Sequence, residues 1–253
     1  MNWSRCSRAL LTLLLLVSLA APAAAITADS SNVPDQQRVG EERRATISLN
    51  DLYEDGTNEW TLRGRTELTN ATWTVRKVKL NGDTTSETFT GRSFAANVSS
   101  ADNVDRVEVV VRGRAPAVSG YSYDPPQRFE FAQLAKVVGD NVNVVDTWEV
   151  HHYTDASQRA RTAIDEAQPV VSGAGSQQAR EQLDRAIQAY ESGEFELARD
   201  LASDAESSAR SAQQSSRTLR LALIGVGVVI VLAVIVGGVL YLRSQSGPGD
   251  PLG

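Results

Sequence analysis
A β-sandwich domain, then a small α-helical segment built as a helical hairpin, then one C-terminal transmembrane helix is the fold class that this 253-residue sequence predicts. Three observations predict it. Apolar residues alternate with polar ones at a period of two from residue 44 to about 150, which is the pattern of half-buried strands. After Thr154 the apolar period becomes helical. Residues 221–242 then carry no charge at all. The predicted order is a signal peptide over 1–25, a flexible lead over 26–40, an antiparallel β-sandwich over 41–153, a helical hairpin or stalk over 154–216, the transmembrane helix over 221–242 and a short cytoplasmic tail over 243–253.

The leader reads as charge, apolar core and cleavage site. Arg5 and Arg8 precede the apolar run 9–21, and the small residues Ala23 and Ala25 follow, so cleavage is expected after Ala25. A retained membrane helix is the alternative, but the run is short for a span. The single cysteine, Cys6, lies in this leader behind Ser4 and Arg5, where a lipobox needs small and apolar residues. The mature chain is therefore expected to lack a lipid anchor, a disulfide framework and a thiol nucleophile.

From Ile26 to Gly40 the chain is polar and reads as a flexible lead. Strand candidates follow at 45–49, 60–68, 73–80, 93–98, 107–112, 127–131 and 142–150. Trp60, Leu62, Gly64, Thr66 and Leu68 share one face of the second, and Val107, Val109 and Val111 share one face of the fifth. In the strand from Trp73 the apolar set slips from odd to even at Arg76 and Lys77, which predicts a β-bulge there. Asn81-Gly82 is a hairpin turn, and Gly139-Asp140-Asn141 another turn. Seven or so short strands at this spacing predict an antiparallel sandwich. The segment resembles an immunoglobulin- or fibronectin-type domain, with Trp73 as the buried core tryptophan, although the cysteine pair of such domains is missing. A fold of that kind does not imply a function.

Ala156, Ala160, Ala163, Ile164 and Ala167 form the apolar face of a first helix, which Pro169 and the stretch 172–175 are expected to interrupt. Ser176 is the N-cap of a second helix with Ala179, Leu183, Ala186, Ile187 and Tyr190 inward. Gly193 ends it, and Glu194 opens a third with Phe195, Ala198, Leu201, Ala202, Ala205 and Ala209 inward. The run 189–198 is similar to the helix-turn-helix core of a tetratricopeptide repeat. The resemblance implies that Ala189, Tyr190, Gly193, Phe195, Ala198 and Ala205 are packing residues: small alanines allow close helix contact and the glycine permits the turn. One copy supports a hairpin, since a peptide-binding superhelix needs about three.

Residues 221–242 are 22 in number, and at 1.5 Å per residue they span about 33 Å, enough for the hydrocarbon core. Arg220 and Arg243 bracket them, and Tyr241 sits at an interface. Arg210, Arg217 and Arg220 upstream outnumber Arg243 downstream, against the orientation that the leader imposes. The leader acts first, so the N-terminal domain is expected outside the cell. Ala233 and Gly237 form a small-xxx-small pair that predicts weak homodimerisation through this helix, with glycine content alone as the competing explanation.

The net charge is -6. Residues 26–220 hold 22 basic against 30 acidic residues, a formal -8, which argues against a nucleic-acid partner. Only Lys77, Lys79 and Lys136 accompany 22 arginines. This bias resembles the surface proteins of salt-loving archaea, in which an acidic, short-chained surface stays hydrated while salt screens its self-repulsion. A genome that favours arginine codons would give the same count.

Candidate chemistry is sparse. His151 and His152 are the only histidines, and adjacent residues of a strand point to opposite faces, so they share a metal only if the backbone turns. The acidic run 50–59 offers Asp51 and Asp55 as calcium ligands, yet Tyr53 and Leu62 break the EF-hand pattern and an acidic turn is favoured. Nucleophile-elbow, Walker and dinucleotide motifs are absent, so neither an enzyme nor a cofactor is expected. Asn70-Ala71-Thr72 and Asn97-Val98-Ser99 are sequons, which makes Asn70 and Asn97 glycosylation candidates. Two functions from different classes remain. One is a single-pass surface protein whose sandwich head binds an extracellular partner or has a structural role; the other is an accessory subunit of an envelope membrane complex, docking through the hairpin and anchor.

Overall fold
The computed structural model describes residues 26–215. The expected signal peptide, the 221–242 span with Ala233 and Gly237, and the tail lie outside the described residues. Among the described residues no helix is long and apolar enough to cross a membrane. These residues form two compact units, one of 26–119 with 125–154 and one of 120–124 with 155–215.

Ten strands make the first unit: β1 (Thr27–Ser31), β2 (Gln36–Arg38), β3 (Glu42–Asn50), β4 (Glu59–Arg65), β5 (Thr69–Lys79), β6 (Thr84–Thr90), β7 (Ser93–Ser99), β8 (Val104–Arg114), β9 (Arg128–Val138) and β10 (Asn141–Tyr153). They form two five-stranded sheets, ordered β1-β3-β8-β5-β6 and β2-β10-β9-β4-β7. Both sheets contribute to one apolar core, in which Ile47, Val75 and Val109 of the first sheet join Leu62, Phe131 and Leu134 of the second. Phe94 of β7 carries the packing across, with its ring 4.9 Å from Trp73 and 5.4 Å from Phe89.

The inward face expected at 60–68 is buried at every second residue. Gly64 is opposite Phe94 in the ladder. A Cβ at Gly64 would lie 2.0 Å from the Phe94 ring, so the glycine is what lets that ring cover the strand.

Several expectations are corrected. The segment 26–40 is no flexible lead: Thr27 to Ser31 pair with Asn50 to Thr46, and Gln36 to Arg38 pair with His151 to Tyr153. Neither strand has an apolar face of its own, so their order comes from hydrogen bonds to a neighbour that periodicity does not reveal. The β2 and β10 pair is parallel, so the sandwich is not wholly antiparallel. Polar β6 was also missed. Its Phe89 sits opposite Trp73, and its Glu87 accepts a 2.7 Å bond from Lys77 Nζ, which leaves a charged, poorly self-pairing edge.

The expected slip of the buried set from odd to even is present in β5, but the irregularity lies just beyond Arg76 and Lys77: β5 pairs without a break from Trp73 to Val78, and its register against β8 shifts between Val78 and Lys79. A parity slip also marks a bulge elsewhere. Phe129, Phe131, Ala132 and Leu134 are all buried, and the ladder skips Phe131, going from Ala132 opposite Trp148 to Glu130 opposite Glu149. That slip concealed the continuation of β9 from Phe131 to Val138.

The second unit holds α1 (Asp155–Ala174), α2 (Gln177–Glu191) and a helical stretch over residues 195–215, here α3. Pro169 does not interrupt α1. Buried residues continue at 157, 160, 164, 167 and 171, and the exposed Pro169 lies off that stripe, so packing outweighs the one hydrogen bond lost. The break comes at Gly175, at φ +68, where a side chain would be strained. Ser176 Oγ then caps α2 by accepting the Ala179 N–H at 3.3 Å. Gly193, at φ +81, ends it. All three helices share one core, so the unit is three helices and not a hairpin alone.

The six residues of the repeat-like run fall within this core. Tyr190, Ala198 and Ala205 are fully buried, Ala189 is nearly so, Phe195 packs on them, and Gly193 is the turn. The sequence reading missed Tyr121 and Tyr123, whose rings lie 6.1 Å from Tyr190. Tyr123 Oη donates to Asp165 at 2.6 Å, and Arg161 stacks 4.7 Å from its ring. Burial, and then the bond to Asp165, push the Tyr123 phenol above its ordinary pKa.

Candidate functional site
The two carboxylates named as calcium ligands serve different partners. Asp51, at φ +59, accepts from Thr27 Oγ1 at 2.7 Å. Asp55 accepts from Lys136 Nζ at 2.7 and 2.9 Å and from the Thr57 N–H at 3.0 Å. Lys136 is otherwise buried, with Nζ 5.2 Å from the Trp60 ring centroid, so Asp55 neutralises a charge that β9 brings inward. The hydrogen bond from Lys136 holds the Asp55 carboxyl below the usual carboxylate range. Among the described residues no group of three or more His, Cys, Asp and Glu is placed to hold a metal.

His151 and His152 lie in extended β10, in register with Gln36 and Gln37, so the backbone turn that a shared metal would need is not there. Their rings serve separate carbonyls. His151 Nδ1 is 2.8 Å from the Gln127 oxygen and His152 Nδ1 is 3.2 Å from the Pro116 oxygen, so each Nδ1 carries the proton. His152 packs 5.1 Å from Phe129.

Burial pushes the His152 imidazole below its ordinary 6.5. The folded state therefore binds this proton less readily than the unfolded one. The resulting stability is full above pH 6.5 and is lost as pH falls through the lowered value. The melting temperature should fall on acidification within this window, and His152→Gln should flatten the dependence. An equal slope in the variant would assign the acid sensitivity to other groups.

Both sequon asparagines are exposed. Asn70 takes a φ of +53 where the β5 and β8 register shifts, and Asn97 faces outward on edge strand β7, donating to Glu59 Oε1 at 3.0 Å.

One concavity of the sandwich was not anticipated. It is a groove of about 800 Å3 beside β10. Strand β2 covers only residues 151–153 of β10, so the preceding residues have a ladder partner on the β9 side alone. Ser30, Val33, Pro34 and Asp35 form one wall as the chain passes from β1 to β2. Arg128, Glu130 and Gln133 of β9 and Thr147, Trp148 and Glu149 of β10 form the rest.

Some of these groups are already engaged. Arg65 donates to both oxygens of Glu130, at 2.9 and 2.8 Å. Gln133 Nε2 donates to Thr147 Oγ1 at 3.1 Å. Arg128 makes one long bond, 3.4 Å, to the Glu149 carbonyl. The carboxylates of Asp35 and Glu149 make no bond among the described residues. Trp148 packs against the core and also lines the groove. Asp35 and Glu149 are more than a hundred residues apart in sequence, which is why local pattern did not find the site.

No protein-family model and no curated protein matches the chain. Among solved structures it is similar to the sporulation control protein Spo0M of Bacillus subtilis, at 12% identity and a TM-score of 0.30 over 56% of this chain and 55% of that one. It is also similar to the alkylpurine DNA glycosylase AlkC of Pseudomonas fluorescens, at 10% identity and a TM-score of 0.25 over 52% of this chain and 31% of that one. A DUF4466 family protein from Parabacteroides merdae gives 8% identity and a TM-score of 0.29 over 51% and 46%. The chain thus spans about half or less of the length of these three proteins. Likenesses of this size carry no functional argument.

Proposed function
We propose that this is a membrane-anchored extracellular protein of the cell surface, in which the sandwich head binds a partner and the helical unit spaces it from the membrane. The observation that carries the reading is the order of the chain: an export leader, a sandwich with an open groove, three helices, then 22 residues without a charge. The acidic, lysine-poor composition supports a salt-loving archaeal surface. The exposure of Asn70 and Asn97 supports glycan attachment there.

Protease added to intact cells is expected to remove residues 41–210 and to spare an epitope placed after Gly253. Protection of 41–210 with loss of that epitope would reverse the topology. Purification in mild detergent separates the accessory-subunit reading: a stoichiometric membrane complex that persists without residues 41–150 would favour it.

A further inference from the structure
The groove beside β10 combines an aromatic side chain with both donors and acceptors, and we propose that it binds a neutral oligosaccharide. This rests on the reading of the sandwich as a binding head. A sugar hydroxyl both donates and accepts, so a site for several hydroxyls must offer both functions. Arg128 donates, and all but one of its N–H groups are uncommitted. Asp35 and Glu149 accept and are unengaged. Gln133 and Thr147 bond one another, which leaves the Gln133 carbonyl and the Thr147 hydroxyl proton available.

The C–H face of a sugar ring stacks on an aromatic ring through dispersion, and Trp148, half-buried against the core, is the aromatic side chain that lines the groove. About 800 Å3 suits a short chain better than a single ring. An anionic polymer would meet the two unpaired carboxylates. A cationic peptide would satisfy them, but it would face Arg128 and leave the amide and hydroxyl pair unused.

Full-length protein in detergent micelles is titrated with maltotriose and chitotriose as neutral probes, trigalacturonate as an anionic one and trilysine as a cationic one. The readout is tryptophan fluorescence. Of the four tryptophans, Trp3 belongs to the expected leader, removed by cleavage after Ala25, and Trp60 and Trp73 are buried in the core, which leaves Trp148 as the reporter in the groove. A saturable response to a neutral trisaccharide is expected. Arg128→Ala and Glu149→Gln should each weaken it about tenfold with the melting temperature unchanged; both are used because Trp148→Ala would also disturb the core.

Tighter binding of trilysine or trigalacturonate would overturn the inference, as would neutral binding that ignores both substitutions. No saturable response to either neutral probe would overturn it too. Protease shaving reads surface placement independently, so a protein shaved from intact cells that binds neither neutral sugar loses this inference and keeps the surface reading.

Discussion

Trp73→Ala is expected to cost the sandwich about 3 to 5 kcal/mol, the range for removing a fully buried large aromatic. Trp73 is wholly buried, its ring packs 4.9 Å from Phe94, and its indole Nε1 donates to the Gly91 carbonyl at 3.1 Å. Substitution therefore opens a cavity between the sheets and leaves a carbonyl unpaired. Neighbours can close in only partly, because Phe94 is already held over Gly64 and against Phe89. Denaturant titration followed by amide exchange in β5 and β8 measures the loss. A change below about 1 kcal/mol would mean that the two sheets do not share this core.

Tyr190→Ala should act on the helical unit with similar size, about 3 to 5 kcal/mol. Its ring is fully buried and meets Phe195 at 5.6 Å and the rings of Tyr121 and Tyr123 edge-on. The contacts come from two separate stretches of chain, 121–123 and the start of α3, so one truncation loosens both. The helical circular-dichroism signal should melt at lower temperature, and amides of α2 should lose exchange protection. If the helical melt were unchanged, the aromatic cluster would not be holding the helices together.

Residues whose role is local were legible. Alternation at 60–68 and 107–111 located inward faces, because a strand places every second side chain on one side whatever it pairs with. The N-cap at Ser176 and the turn at Gly193 were legible for the same kind of reason: a cap and a left-handed turn are decided within about four residues. The packing alanines of α3 followed from the 3.6-residue period.

Only the tertiary structure decided what depends on distant chain. β1, β2 and β6 are ordered by ladders to strands that they do not resemble. Pro169 stays helical because the buried stripe continues past it. The register of β5 against β8 shifts past Val78 and not at Lys77, and a further bulge sits at Phe131, since register is a property of the pair and not of one strand. The calcium-like turn became a clasp for Lys136, 81 residues away. The groove, too, needed the β1 to β2 connection laid beside β10. Composition and period alone determined which segments seek a core or a sheet, because apolar side chains carry that preference individually. Pairing order, register and concavity belong to the assembled chain, because backbone hydrogen bonds are identical at nearly every residue and encode no partner.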